Sequence, residues 1–210
     1  MARCECRGAH HGMSAAIQAE KKIWRSRLRE ESARHSDDER LAHSSQICER
    51  IASSAIWRAS SAVLFFAPMR DEPNLETLFA AAQRDGKTIA LPRHVAGQDV
   101  YEAALIRDFE RDLVTGNLGV REPAATCGPL PFKQLDLILV PGLGFNLRGA
   151  RLGRGKGYYD RILADVTATR CGVAFDWQVI DQLPSEPHDQ RLDCLATPSR
   201  WLDFRGLRTT

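Results

Sequence analysis

An apolar run, Leu135 to Val140, stops at Pro141-Gly142, gives way to a glycine-rich loop, and is followed by helical periodicity from Gly157 to Ala168. A run that short and that apolar reads as a strand buried on both faces, which antiparallel surface sheets do not need and parallel sheets do. Other segments repeat the alternation. Residues 15–34 have helical spacing, with Ile17, Lys21, Trp24 and Leu28 near one face, and Ser36-Asp37-Asp38-Glu39 forms a capping box for a second helix to about Trp57. Ser61 to Ala67 is a buried strand. Asn74 caps a helix that ends at Gly86, and Lys87 to Leu91 is a strand closed by Pro92. Val100 to Ile106, Cys171 to Phe175 and Cys194 to Thr197 are further strands, and Thr115 to Lys133, rich in Gly and Pro, reads as a long connection. Strands alternating with helices predict an open, mostly parallel sheet covered on both faces, with ligands bound beyond the carboxyl ends of its strands.

The loop after Val140 carries the chemistry. Between Arg148 and Arg161 lie five cationic side chains (Arg148, Arg151, Arg154, Lys156, Arg161) and one carboxylate, Asp160. Gly153, Gly155 and Gly157 alternate with Arg154 and Lys156. Glycine lets backbone N–H groups turn toward an anion, and Arg and Lys supply the countercharge. The arrangement predicts a polyphosphate cradle at a strand-to-helix junction. It is not one of the generic cradles. A P-loop needs glycine where Ala150 stands and a hydroxyl where Gly157 stands, and a dinucleotide fingerprint needs glycine where Leu147 stands.

The segment Pro-Gly-Leu-Gly-Phe-Asn-x-x-Gly-x-Arg-Leu-Gly-Arg-Gly-Lys-Gly-Tyr-Tyr-Asp, residues 141–160, resembles the signature of the 5-formyltetrahydrofolate cyclo-ligase (methenyltetrahydrofolate synthetase) family. Lys21-Lys22-Ile23-Trp24-Arg25 is similar to that family's amino-terminal Lys-x-x-x-Arg. Asp71-Glu72-Pro73 is similar to its substrate-side acid, and His188-Asp189 with Asp193 to its carboxy-terminal motif. The likeness runs from about residue 17 to about 204. Ala67 and Pro68 depart from the commoner pattern on the folate side. The resemblance implies a three-layer α/β/α sandwich. It also implies conversion of 5-formyltetrahydrofolate, with or without additional glutamates, to 5,10-methenyltetrahydrofolate using ATP and Mg2+. Arg154 would contact the transferring phosphoryl group, together with Lys156. ATP would be held by Lys21, Arg25, Arg151, Gly153, Arg154, Gly155, Lys156, Gly157, Tyr158 and Tyr159, with Lys156 and the loop amides on the β- and γ-phosphates. Arg25, Glu72, Arg154 and Tyr158 would hold the folate, with Glu72 as the pterin anchor, and Asp160 and Asp189 would carry the magnesium. Phe145 and Trp177 have faces that suit either a folate pocket or core packing.

The net charge is only +2 over 210 residues, so the positive charge is local to the glycine loop, which suits a small anionic ligand rather than nucleic acid. No apolar run approaches membrane-spanning length and no secretory signal is seen. The six cysteines form no Cys-x-x-Cys pair and fit the reducing cytoplasm; a monomer is the expected state. Residues 1–13, polar and rich in Cys, His and Arg, read as a disordered leader before a single domain, residues 14–210, with Met13 as a candidate physiological start. Cys4, Cys6, His10 and His11 match no familiar zinc spacing. A sugar-phosphate isomerase or deaminase on the same kind of sheet, and an RNA-binding module, are the other classes this chain could represent. The first would need no ATP, and the second would need a wider basic face.

Overall fold

The structure, a computed structural model, describes residues 6–95, 100–116, 120–164, 166–186 and 189–208. Helix α1 spans Cys6–Ser32, α2 Asp37–Ala52 and α3 Ala55–Ala59. Strand β1 (Ala62–Leu64), helix α4 (Glu76–Arg84) and strand β2 (Thr88–His94) form the first crossover unit. Strands β3 (Tyr101–Leu105), β4 (Leu113–Thr115), β5 (Arg121–Pro123) and β6 (Pro129–Leu130) follow. The second unit is β7 (Leu137–Val140), the hairpin β8 (Gly144–Asn146) and β9 (Arg151–Leu152), helix α5 (Tyr158–Ala164) and strand β10 (Thr169–Val173). Short strands β11 (Val179–Ile180), β12 (Cys194–Ala196) and β13 (Trp201–Asp203) complete the chain.

Eight strands make one sheet in the order β13-β12-β10-β7-β1-β2-β3-β6. From β12 to β2 every neighbour is parallel, and β13 and β3 are antiparallel to the strands they border. From β1 the chain moves one way, through α4 to β2. From β7 it moves the other way, through α5 to β10. Both crossovers are expected to be right-handed, so α4 and α5 cover opposite faces, and the strand order reverses between β1 and β7. The expected three-layer sandwich with a mostly parallel sheet is what the chain forms. Its centre is dry: Val63, Leu64, Ile138, Leu139 and Val140 are fully buried, and Phe65 meets Trp57 and Phe79 edge-on. Among the described residues no helix is long and apolar enough to cross a membrane.

Several boundaries differ from the sequence reading, each for a local reason. Helix α1 begins at Cys6, earlier than the helical spacing read from residue 15. Cys4 lies outside the described residues. The second helix breaks at Ser53-Ser54, because the Ser54 hydroxyl accepts the Trp57 N–H at 3.0 Å and starts α3. Strand β2 runs through Pro92. Its pairing with β1 ends at Ala90, so Pro92 lies where β2 is bonded to β3 alone. The expected connection over 115–133 holds β5 and β6, and the glycine loop holds the β8–β9 hairpin. Strands of two or three residues carry no periodicity to read. Helix α5 stops at Ala164, where the Arg170 guanidinium donates to the carbonyls of Leu163 and Val166 at 2.9 and 3.3 Å and satisfies the helix's open end.

The amino ends of the two switch-point strands are stapled by one carboxylate. Asp136 Oδ2 accepts the N–H groups of Ser61 and Ala62 at 2.7 and 2.9 Å. Asp136→Ala leaves both donors without that acceptor and is expected to cost about 1–3 kcal/mol in a urea unfolding curve. An unchanged midpoint would show that the staple contributes nothing.

Candidate active site

At the carboxyl ends of β1 and β7 two loops face each other, residues 65–75 and residues 141–157. The reversal of strand order between these strands opens a crevice where helices diverge to opposite faces. Gln178 braces the second loop: its amide Nε2 donates to the Gly142 carbonyl at 2.9 Å, and its Oε1 accepts the Phe175 N–H at 2.8 Å. Asn146 Oδ1 accepts the N–H groups of Arg148 and Ala150, both at 2.9 Å, and so closes the β8–β9 turn. Helix α1 lies so close to this hairpin that a Cβ on Gly144 would stand 2.6 Å from Leu28 Cδ1. Beyond the hairpin, Gly155 (φ +100°) and Gly157 (φ +63°) take left-handed backbone that other residues adopt only with strain, and deliver the chain into α5.

Arg154, between these glycines, crosses the crevice. Its Nε donates to Glu72 Oε1 at 3.1 Å, and Nη2 donates to Asp71 Oδ1 and approaches Glu72 Oε1 at 3.1 Å. Glu72 is 9% exposed, and its second oxygen accepts the Met69 N–H at 2.9 Å. Burial pushes the Glu72 carboxyl above the usual range, while Arg154 and the Met69 N–H partly offset it. Burial alone would lower the Arg154 pKa, but the charges of Glu72 and Asp71 outweigh it and raise it. The structure thus brings together the residue expected on the phosphoryl group and the residue expected on the pterin.

A second cluster lies where α1 meets the carboxy-terminal segment. Lys21, 5% exposed, donates from Nζ to Glu186 Oε2 at 3.0 Å and to Asp189 Oδ2 at 2.6 Å. Asp189 Oδ2 also accepts the Glu186 N–H at 2.7 Å, and Gln18 bonds the Glu186 carboxylate. One helical turn on, Arg25 Nε donates to the Gly153 carbonyl at 3.0 Å, and the guanidinium is packed over Gly155, where a Cβ would stand 3.2 Å from Arg25 Cζ. Burial, helped by nearby Arg29, lowers the Arg25 pKa. The amino-terminal helix therefore reaches the glycine loop directly, as the spacing of Lys21 and Arg25 requires.

The remaining expected site residues divide between surface and interior. Lys156 is exposed and has no partner among the described residues. Arg151 donates to Asp160 Oδ1 at 3.0 Å and to the Pro141 carbonyl at 3.3 Å, and its guanidinium lies 5.7 Å from the centre of the Tyr159 ring. Arg151 passes beside Gly153, where a Cβ would stand 2.7 Å from its Nη1. Tyr158 packs its ring 4.0 Å from that of Tyr101, and burial pushes both Tyr158 and Tyr159 hydroxyls up. Tyr159 is the more buried of the two, and its hydroxyl has no hydrogen-bond partner among the described residues. Phe145 is a core residue. Trp177 stacks between His35 and Phe175 at centroid distances of 3.6 and 4.4 Å. His188 lies outside the described residues. Asp193 accepts the Arg170 N–H at 2.8 Å. Glu186, Gln18 and Gln178 were not singled out from the sequence, since isolated polar residues at no regular spacing give no signal.

Among the described residues no group of three or more His, Cys, Asp or Glu side chains is placed to hold a metal. Asp160 and Asp189 each already bond a cationic side chain, Arg151 and Lys21. Asp160 is one-third exposed and keeps an oxygen without a partner among the described residues.

A parallel α/β sheet with a cationic glycine loop and a buried acid at its switch point is the layout of an enzyme that acts on an anionic ligand. Residues 17–198 match the 5-formyltetrahydrofolate cyclo-ligase family, and the chain belongs to it. The mouse 5-formyltetrahydrofolate cyclo-ligase is 28% identical over 196 residues, which cover 86% of this chain and 94% of the mouse protein. That of Mycolicibacterium smegmatis is 35% identical over 145 residues, 66% of this chain and 74% of its own. The fold matches the NMR structure of Aquifex aeolicus 5,10-methenyltetrahydrofolate synthetase with a TM-score of 0.79 at 29% identity, covering 88% of this chain and 93% of that one.

The raised pKa of Glu72 has a sign that can be measured. A carboxyl whose folded pKa lies above its unfolded value, about 4.3, adds most stability below that unfolded value and loses it as pH rises through the folded pKa. Glu72→Gln should therefore gain melting temperature relative to the parent as pH is raised from about 4 toward 7. A constant difference across that range would mean that Glu72 ionises as freely folded as unfolded.

Proposed function

We propose that the chain converts 5-formyltetrahydrofolate to 5,10-methenyltetrahydrofolate with cleavage of ATP to ADP and phosphate. The observation that carries the reading is the Arg154 bridge. One side chain from the phosphate-type loop touches the acid on the opposite loop, so a phosphoryl donor held by the first and a pterin held by the second would meet at the guanidinium. Membership of the family supports the same substrates.

The chemistry follows from the substrate. A formamide carbonyl is a poor electrophile because nitrogen donates into it. Transfer of the γ-phosphoryl group to the formyl oxygen forms a P–O bond as the bond from the γ-phosphorus to the bridging oxygen breaks and ADP leaves, and gives an imidate-like carbon with a good leaving group. The folate N10 attacks that carbon and gives its proton to solvent, the C–O bond breaks, and phosphate departs with the formyl oxygen. Little covalent work falls to the protein. It must hold the two reactants in line and neutralise charge spreading over the phosphoryl oxygens. Arg154 suits the transferring group. Lys156 and the N–H groups around Gly153, Gly155 and Gly157 suit the β- and γ-phosphates, and Arg25 steadies that loop through the Gly153 carbonyl. Lys21 and Arg151 act in this reading from their ion pairs beside the nucleotide. Glu72 accepts from the pterin amino and ring N–H groups, against Tyr158.

Magnesium fits as an ion carried in on the nucleotide, since it takes most of its oxygens from phosphate and water and only one or two from protein. Asp160, with an oxygen to spare, suits it, and Asp189 is the second candidate. When bound, the ion would neutralise phosphate charge. Action as a cytoplasmic monomer is part of the same proposal.

The test is direct: the protein mixed with 5-formyltetrahydrofolate and Mg2+ should produce the methenyl chromophore only when ATP is present. No chromophore, or one independent of ATP, contradicts the reading. Arg154→Ala should keep its fold and lose about 100-fold or more in turnover; near-parental turnover removes Arg154 from the chemistry. Asp160→Asn should raise the magnesium concentration needed for half-maximal rate more than it raises the folate requirement, and an unchanged magnesium titration contradicts its role.

A further inference from the structure

Asp71 is the one member of the crevice cluster to which neither the family signature nor the reaction assigns a task. It shares Arg154 with Glu72: Nη2 of Arg154 bonds Asp71 Oδ1 and also lies 3.1 Å from Glu72 Oε1. The two acids differ in what else they do. Both Glu72 oxygens are engaged, Oε1 by Arg154 and Oε2 by the Met69 N–H, and the side chain is buried. The Asp71 carboxylate is about a third exposed and has no other hydrogen bond among the described residues.

The pterin reading of Glu72, on which this inference rests, creates a competition. A pterin presents paired N–H donors to a carboxylate, and the oxygen they would meet is already shared with Arg154. An arginine anchored by Glu72 alone would loosen at the moment the substrate docks, just when its guanidinium must stand at the phosphoryl group. We infer that Asp71 is the positioning residue for Arg154: it keeps Nη2 when substrate draws on Glu72, and fixes the guanidinium plane for phosphoryl transfer. Two adjacent acids on one turn then divide the work, one reading the folate and the other holding the arginine. Nη1 of Arg154, which has no partner among the described residues, is the edge left for the phosphoryl oxygens. A guanidinium held at a second edge by a carboxylate loses less freedom when it binds an oxyanion than one that swings free.

The experiment compares steady-state kinetics of the parent, Asp71→Asn, Asp71→Glu, Arg154→Ala and the double variant Asp71→Asn/Arg154→Ala. It adds melting temperatures and folate binding measured without ATP. Asp71→Asn should lower kcat about 10- to 100-fold, keep folate affinity and melting temperature near those of the parent, and add less than about 2-fold to the loss in Arg154→Ala. Asp71→Glu, which keeps the charge, should recover part of the rate. The inference is overturned by parental kcat in Asp71→Asn. It is equally overturned by a loss that multiplies fully with that of Arg154→Ala, or by a fall in folate affinity and melting temperature together. A parent protein inactive with ATP and 5-formyltetrahydrofolate would overturn the functional reading itself, so the two failures are distinct.

Discussion

The reversal of strand order between β1 and β7 is the constraint from which the rest follows. Two neighbouring parallel strands send their crossovers in opposite directions, so their carboxyl ends have no helix closing over them. The gap is bounded by loops rather than by regular structure, and loops can carry charge at a buried edge where strands cannot. Asp136 pins the two strands together at their amino ends, and Arg154 spans the loops at the other. Between these points lies only apolar side chain, so the register of the sheet fixes how far apart the glycine-rich loop and Glu72 stand.

Electrostatics inside the crevice is arranged in pairs. Arg154 faces Glu72 and Asp71, Arg151 faces Asp160, and Lys21 faces Glu186 and Asp189. A cation left alone at low exposure would be costly: for Lys21 and Glu186, buried on both sides, losing one member is expected to destabilise by about 3–5 kcal/mol, while the part-exposed pairs of Arg154 with Asp71 and of Arg151 with Asp160 are worth less. The pairs therefore offset the charge of Lys21, Arg151 and Arg154 within the fold. Lys156, by contrast, is exposed and has no partner among the described residues.

Much of this was legible in the sequence. The four-residue core of β7 and the apolar residues of β1 gave a parallel sheet because nothing else buries such runs, and the charge alternation from Arg151 to Lys156 marked the loop. The position of Glu72 beside Arg154 was not legible: 82 residues separate them, and only the adjacency of β1 and β7 brings them together. Tyr158 and Tyr159 could not be told apart until α5 was placed, after which one packs on Tyr101 and the other turns into the core. The β8–β9 hairpin was hidden by its own glycines, of which Gly144 packs closely against Leu28 and Gly149 against Leu192 and Phe204. Glu186 gave no sign because its role depends on Lys21, 165 residues away.

Proposed phosphoryl transfer onto the formyl oxygen at the Arg154 bridge is tested most directly by the fate of that oxygen. With 5-formyltetrahydrofolate labelled with 18O in the formyl group, turnover with ATP and Mg2+ should release phosphate carrying one labelled oxygen per methenyl product formed. Unlabelled phosphate formed at the same rate as product would mean that the oxygen never bonds to phosphorus, and that ATP is cleaved by another route.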